Sequence, residues 1–192
     1  MIPVPPGHVA AVVTFLEMTE RPAPAKGAAA PLRIETWPAF DSERYKALFR
    51  RVGSRWLWFS RLAMGEAELL ARAGEVHSVI DKAGTEVGIV ELDFRDPATC
   101  HIRFLGLVPE LAGLGHGAWL FDQVLLLAWA PGVARVQVHT CTLDHPAALP
   151  AYLRAGFRAF GRAFESFPDP RLAGLLPRET APQVPLVEGL GD

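Results

Sequence analysis

The stretch Phe104-Leu105-Gly106-Leu107-Val108-Pro109-Glu110-Leu111-Ala112-Gly113-Leu114-Gly115-His116-Gly117-Ala118-Trp119-Leu120 decides the fold. An apolar run ends at Pro109, as a buried strand does, and a turn with alternating glycines (Gly113, Gly115, Gly117) follows. Trp119, Leu120, Phe121, Val124, Leu125, Leu127 and Ala128 then recur at helical spacing. The predicted order is strand, glycine-rich loop, helix. A loop without side chains at a helix N-terminus presents backbone N–H groups at the positive end of the macrodipole, which suits a phosphate or pyrophosphate. The same glycines could serve a tight connection without any ligand. Three in alternation exceed what one turn needs, so phosphate is the favoured reading.

Two cofactor classes use such a seat. Gly113-x-Gly115-x-x-Ala118 fits the dinucleotide fingerprint, but that fingerprint needs an acidic residue roughly 20 positions on to hold the ribose. The next strand, Ala134 to Thr140, ends at His139-Thr140 with no acid, which argues against a dinucleotide. The other class is the pyrophosphate arm of coenzyme A. Downstream lies Asp144-His145-Pro146-Ala147-Ala148-Leu149-Pro150-Ala151-Tyr152-Leu153-Arg154-Ala155-Gly156-Phe157. Together with Val108-Pro109 and the glycine loop, this segment resembles the acyl-CoA signature of the GNAT superfamily of N-acyltransferases. Ala148, Tyr152 and Gly156-Phe157 stand in register with that signature, and the resemblance runs from about Leu32 to Phe167.

The rest of the chain reads in agreement. Val9 to Leu16 is a β-branched, apolar strand, and 21–31 is a Pro- and Ala-rich linker. Leu32 to Trp37 alternates as a strand; Tyr45, Leu48, Phe49 and Val52 mark one face of a helix capped by Asp41 or Ser42; Leu69 and Leu70 sit on a second, short helix. Strands follow over Glu75–Asp81, Glu86–Phe94 and Thr99–Val108, then the loop helix, the strand to Thr140, a helix from about Pro146 to Ala155 and a strand over Arg158–Phe167. The resemblance implies an α/β fold of the α+β type: a mixed, mostly antiparallel central sheet flanked by helices. Its two middle strands, those ending at Val108 and Thr140, would splay to admit the pantetheine. Residues 1–167 would form a single acyltransferase domain with an extra N-terminal strand, and the Pro/Gly-rich 168–192 a surface tail.

Composition narrows the function. A length of 192 residues with 50% hydrophobic content supports one sizeable core. A net charge of −2 gives no general attraction to nucleic acid or membrane, so neither partner is expected. Two cysteines, Cys100 and Cys141, on neighbouring strands do not suggest a disulfide, and a cytoplasmic home is expected. His139-x-Cys141-x-x-x-His145 offers ligand types but no second pair at ligand spacing, so no metal is expected.

The resemblance also implies roles. Backbone groups of Leu107 and Val108 would hold pantetheine, and those of Gly113, Leu114, Gly115, His116, Gly117 and Ala118 the pyrophosphate. Ala112 stands where the family usually carries Arg or Gln, which removes one phosphate contact. Tyr152 would be the general acid near the CoA sulfur. His145, in place of the signature Asn, would reach pantetheine beside Ala148 or only cap the following helix. His101 lies where histone-type members carry their catalytic glutamate. A tight hairpin would set Asp93 opposite His101 and Glu91 opposite Arg103, making His101 or Glu91 the base. Arg55, Trp56 and Trp58 fall in the acceptor region. The implied function is acetyl transfer from acetyl-CoA to a small amine by direct attack, in a possible homodimer paired through the extra strand. The alternative is a non-catalytic acyl-CoA binder.

Overall fold

The computed structural model describes residues 1–23 and 30–188. Most of the expected linker, 24–29, and the end of the tail, 189–192, lie outside the described residues. The elements run β1 (His8–Met18), β2 (Leu32–Thr36), α1 (Ser42–Gly53), α2 (Glu66–Arg72), β3 (Glu75–Asp81), β4 (Glu86–Asp96), β5 (Thr99–Leu107), α3 (His116–Ala128), β6 (Arg135–Cys141), α4 (Ala148–Arg154) and β7 (Arg158–Pro168).

The strands form one sheet in the order β2-β3-β4-β5-β6-β1-β7. Every neighbouring pair is antiparallel except β5 and β6. α1 forms because Asp41 accepts a hydrogen bond from the Arg44 N–H at 3.0 Å and caps the helix, while Tyr45, Leu48, Phe49 and Val52 all point inward. Each of those four side chains is at most 2% exposed, and burying each is worth about 1.5–3 kcal/mol against the sheet. α1 packs on β4 and β5, and α3 against β5.

Two expectations change. β1 is not a strand offered to a second subunit. It lies inside the sheet, paired to β6 on one side and to β7 on the other, so both of its edges are satisfied within the chain. The segment after Pro168 is built into the structure as far as it is described. Asp169 and Arg171 form an ion pair whose side chains are each 2% exposed, and Leu176 and Ala181 are buried in the main core. Arg171 also donates to the carbonyls of Thr180 and Val184, which closes the tail on itself.

Candidate active site

β5 and β6 pair only from Thr99/Arg135 to Ile102/Val138 and then part. Beyond that point the β6-facing backbone groups of β5 have no strand partner, which opens a wedge lined by hydrogen-bonding main chain. A cavity of about 850 Å³ fills the wedge, a volume suited to a cofactor arm and a small acceptor. Val108 lines it, yet its N–H donates to Val87 and its carbonyl accepts from Leu111. The backbone contact expected of Val108 is therefore already used inside the chain, and the free groups are those of β5 upstream of it.

At the mouth of the wedge the glycine loop turns into α3. Gly113 and Gly115 have φ of +79° and +81°, a region that side chains disfavour, and Gly115 caps α3 with no side-chain bond. The N–H groups of Ala112 and Leu114 turn back to Pro109 and Leu111, whereas those of Gly113 and Gly115 have no acceptor among the described residues. The first turn of α3 lacks intrahelical partners by its geometry. A Cβ at Gly117 would meet nothing within 4 Å, so the protein's own packing does not explain that glycine. Open space over unpartnered N–H groups at a helix start fits a diphosphate. Leu107, Ala112, His116, Ala118 and Ala148 border the same cavity, while the Leu114 side chain is exposed outside its lining.

Tyr152 stands on α4 with its ring edge-on to Phe121 at 5.1 Å and to Phe157 at 5.7 Å. Burial, with a smaller push from Asp144, raises its pKa, so it remains a neutral phenol facing the cavity. His145 Nδ1 accepts from the Ala147 N–H at 3.0 Å, which settles the turn into α4, and its ring meets Trp56 edge-on at 5.0 Å. Asp144 ties the two walls together. It accepts from Thr140 Oγ1 at 2.7 Å and the Cys141 N–H at 2.9 Å, and from Trp58 Nε1 at 3.2 Å. Arg55, Trp56 and Trp58 line the same cavity, and the Arg55 guanidinium lies 5.7 Å from the Trp56 ring centre.

The two expected bases fare differently. Asp93 does pair with His101, but a bulge at Arg103 shifts the register so that Glu91 faces Phe104 rather than Arg103. Glu91 has no exposed surface and binds Tyr45 Oη, Arg61 and the Gly74 N–H; it is sealed beneath α1 and cannot reach an acceptor. Asp93 does not orient His101. Its carboxylate is held by Arg95 and Arg103, and those hydrogen bonds keep its pKa well below the usual range. His101 borders a second, smaller cavity instead of the main one.

Reasoning from the sequence passed over His139, weighing it only as a metal ligand. Strand alternation puts His139 and Cys141 on the face opposite buried Val138 and Thr140, a signal already present in the sequence. His139 lines both cavities and keeps an exposed surface, while the strands around it crowd the ring and lower its pKa. Burial pushes the Cys141 thiol up to about 11, which leaves it protonated and a poor nucleophile.

A splayed parallel pair within a mixed sheet, with a glycine-built helix start at its mouth, defines a GNAT-type acetyltransferase fold. A model of the Acetyltransferase (GNAT) family matches residues 31–157, and the chain belongs to that family. β1 and the whole of β7 fall outside the matched span. Among solved structures, the chain is similar to a GCN5-related N-acetyltransferase from Sphaerobacter thermophilus at 17% identity and TM-score 0.57, covering 85% of this chain and 52% of that one. It is also similar to a spermidine N-acetyltransferase from Vibrio cholerae in complex with CoA and spermine (18% identity, TM-score 0.53, 68% of this chain and 83% of that one). A third is an IAA acetyltransferase from Bacillus cereus (22% identity, TM-score 0.51, 68% and 79%). The chain thus spans about half the length of the Sphaerobacter protein, and at these identities the likeness carries the fold alone. No curated protein matches the sequence. No helix among the described residues is long and apolar enough to cross a membrane.

Proposed function

We propose that this chain is an acetyl-CoA-dependent N-acetyltransferase that acetylates a small amine by direct attack, without a covalent enzyme intermediate. The observation that carries the reading is convergence: unpartnered strand backbone, glycine cradle, buried phenol and aromatic acceptor wall all border one cavity. Acetyl-CoA supplies the acetyl group as a thioester. The N–H groups of Gly113, Gly115 and the first turn of α3 hold its diphosphate, and the β5 backbone before Val108 aligns the pantetheine. Trp56, Trp58 and Arg55 seat the acceptor. His139 takes the amine proton as nitrogen bonds to the acetyl carbon. Tyr152 gives its hydroxyl proton to sulfur as the carbon–sulfur bond breaks. Cys141, kept protonated by burial, takes no part.

Calorimetric titration with acetyl-CoA, with NADH as control, is the first test, followed by CoA release with a panel of amines. Acetyl-CoA binding with amine-dependent CoA release is expected. Binding without release from any amine would instead make the chain an acyl-CoA binder, the reading favoured by the loss of a phosphate-contacting side chain at Ala112. Absence of acetyl-CoA binding would remove both.

A further inference from the structure

The second cavity, about 260 Å³, abuts the first. The two share Ile102, Arg103, Val138 and His139, the residues at which β5 and β6 part, so the second cavity continues the first past the end of the wedge. It is made by two irregularities. On β5 the register steps from Glu91/Phe104 to Leu92/Ile102, leaving Arg103 as the extra residue. On β7 it steps from Phe15/Gly161 to Leu16/Ala159, leaving Phe160 as the extra residue. Bulges re-aim side chains, and both of these extra residues line the same cavity.

Arg103 is the charged residue of its lining. His101, Arg103, Gln137 and His139 supply donors, Phe15 and Phe160 an aromatic side, and no carboxylate lines it. Asp93, just outside, carries two guanidinium partners, Arg95 and Arg103, so that trio keeps a net positive charge. Arg103 donates through Nε and one Nη, which leaves its other Nη free to bind. The carboxylates acting on the imidazoles, Asp93 and Asp96 on His101 and Asp144 and Glu165 on His139, lie outside this lining, although Asp144 and Glu165 border the first cavity. Room for several water-sized groups, at ~30 Å³ each, suits a short chain ending in an anion.

We infer that the acceptor is an amine bearing a carboxylate or phosphate, whose anionic end sits in this second cavity on Arg103, His101 and Gln137 while its nitrogen lies beside His139. This rests on the acetyltransferase reading above. It selects a substrate class: ω-amino acids or aminoalkyl phosphates, in preference to simple amines and polyamines.

The test has two arms on the full-length protein. In the first, γ-aminobutyrate, aminopropyl phosphate, n-butylamine and putrescine are compared by acetyl-CoA-dependent CoA release. A preference of about tenfold or more in kcat/KM for one anionic amine over n-butylamine is expected, as for a charge-assisted hydrogen bond. Which anion wins separates carboxylate from phosphate. In Arg103→Gln, and independently in His101→Ala in case the first perturbs the Asp93 cluster, that ratio falls toward unity. In the second arm, imidazole NMR resonances of His101 and His139 are followed as each amine is added without acetyl-CoA. Saturable shifts with the anionic amines alone are expected, and Arg103→Gln should abolish them. Equal shifts with n-butylamine, no shifts at all, or a kinetic preference for putrescine would each overturn the subsite. Anion-specific shifts without turnover would leave the subsite standing and remove the acetyltransferase reading, so the two failures are distinguishable.

Discussion

In the proposed reaction Tyr152 and His139 divide the proton transfers between them, and the environment of each suits its part. The phenol is buried, kept neutral, and clamped by Phe121 and Phe157, so it has one proton to give and little freedom to misplace it. Tyr152→Phe keeps that packing and removes only the donor. It should cut kcat about 10²-fold or more, a typical general-acid contribution, and leave the acetyl-CoA Kd within about twofold; unchanged turnover would remove Tyr152 from the chemistry. His139 has its pKa lowered from the ordinary 6.5 by burial. A proton acceptor must be neutral, so the rate of the wild-type protein should stay flat down through neutral pH and fall only on the acid side of 6.5. His139→Gln should lower kcat and abolish that acid limb, whereas an acid limb that survives would move the base elsewhere.

At the scale of elements, the glycine loop does two jobs that can be separated. Gly113 and Gly115 are needed for positive φ, but Gly117 lies in the first turn of α3 with open space where a side chain would go. Gly117→Ala should therefore stabilise the free protein by roughly 0.5–1 kcal/mol through helix propensity. The same methyl group would intrude on a diphosphate seated over the helix start, so acetyl-CoA affinity should fall about tenfold or more. Opposite signs in thermal unfolding and in titration are the expected result; unaltered affinity would mean that the loop carries no phosphate. The loop, the wedge strands and α4 were legible because each rests on local pattern: Pro109 stopping a strand, glycines at fixed spacing, Tyr152 in register with Gly156-Phe157. The base was not. Predicting it needed the pairing of β4 with β5, and one bulge at Arg103 moved Glu91 from the solvent strip into the core with Tyr45 and Arg61. Likewise, nothing local in Val9 to Leu16 tells that this strand pairs with β6 and β7, which lie more than a hundred residues downstream.

For the whole molecule, that long-range pairing determines how the chain's two ends bear on the site. β1 carries Phe15 beside His139, with ring centres 6.2 Å apart. The segment after β7 starts beside it, with the Asp169 N–H donating to the Gly7 carbonyl. It then reaches the wall proposed to seat the acceptor, where Gln183 Nε2 donates to the Arg55 carbonyl at 2.7 Å. Arg171 holds this segment in shape through Asp169 and the carbonyls of Thr180 and Val184. Arg171→Ala strands a buried carboxylate and should cost about 3–5 kcal/mol at neutral pH. Hydrogen bonds and charge from Arg171 outweigh burial and hold the Asp169 pKa below its usual value. A depressed folded-state pKa gives stability that is present above the unfolded value, near 3.9, and lost as pH falls through the folded one. The stability gap between wild type and variant should therefore narrow below about pH 4. If the tail supports the acceptor wall, the variant should also raise KM for the amine while the acetyl-CoA Kd holds, because the cradle at Gly113–Ala118 lies in the loop after β5 and the first turn of α3, away from the tail. Equal weakening of both ligands would mean that loosening the tail destabilises the whole sheet, and that the two halves of the site are not supported separately.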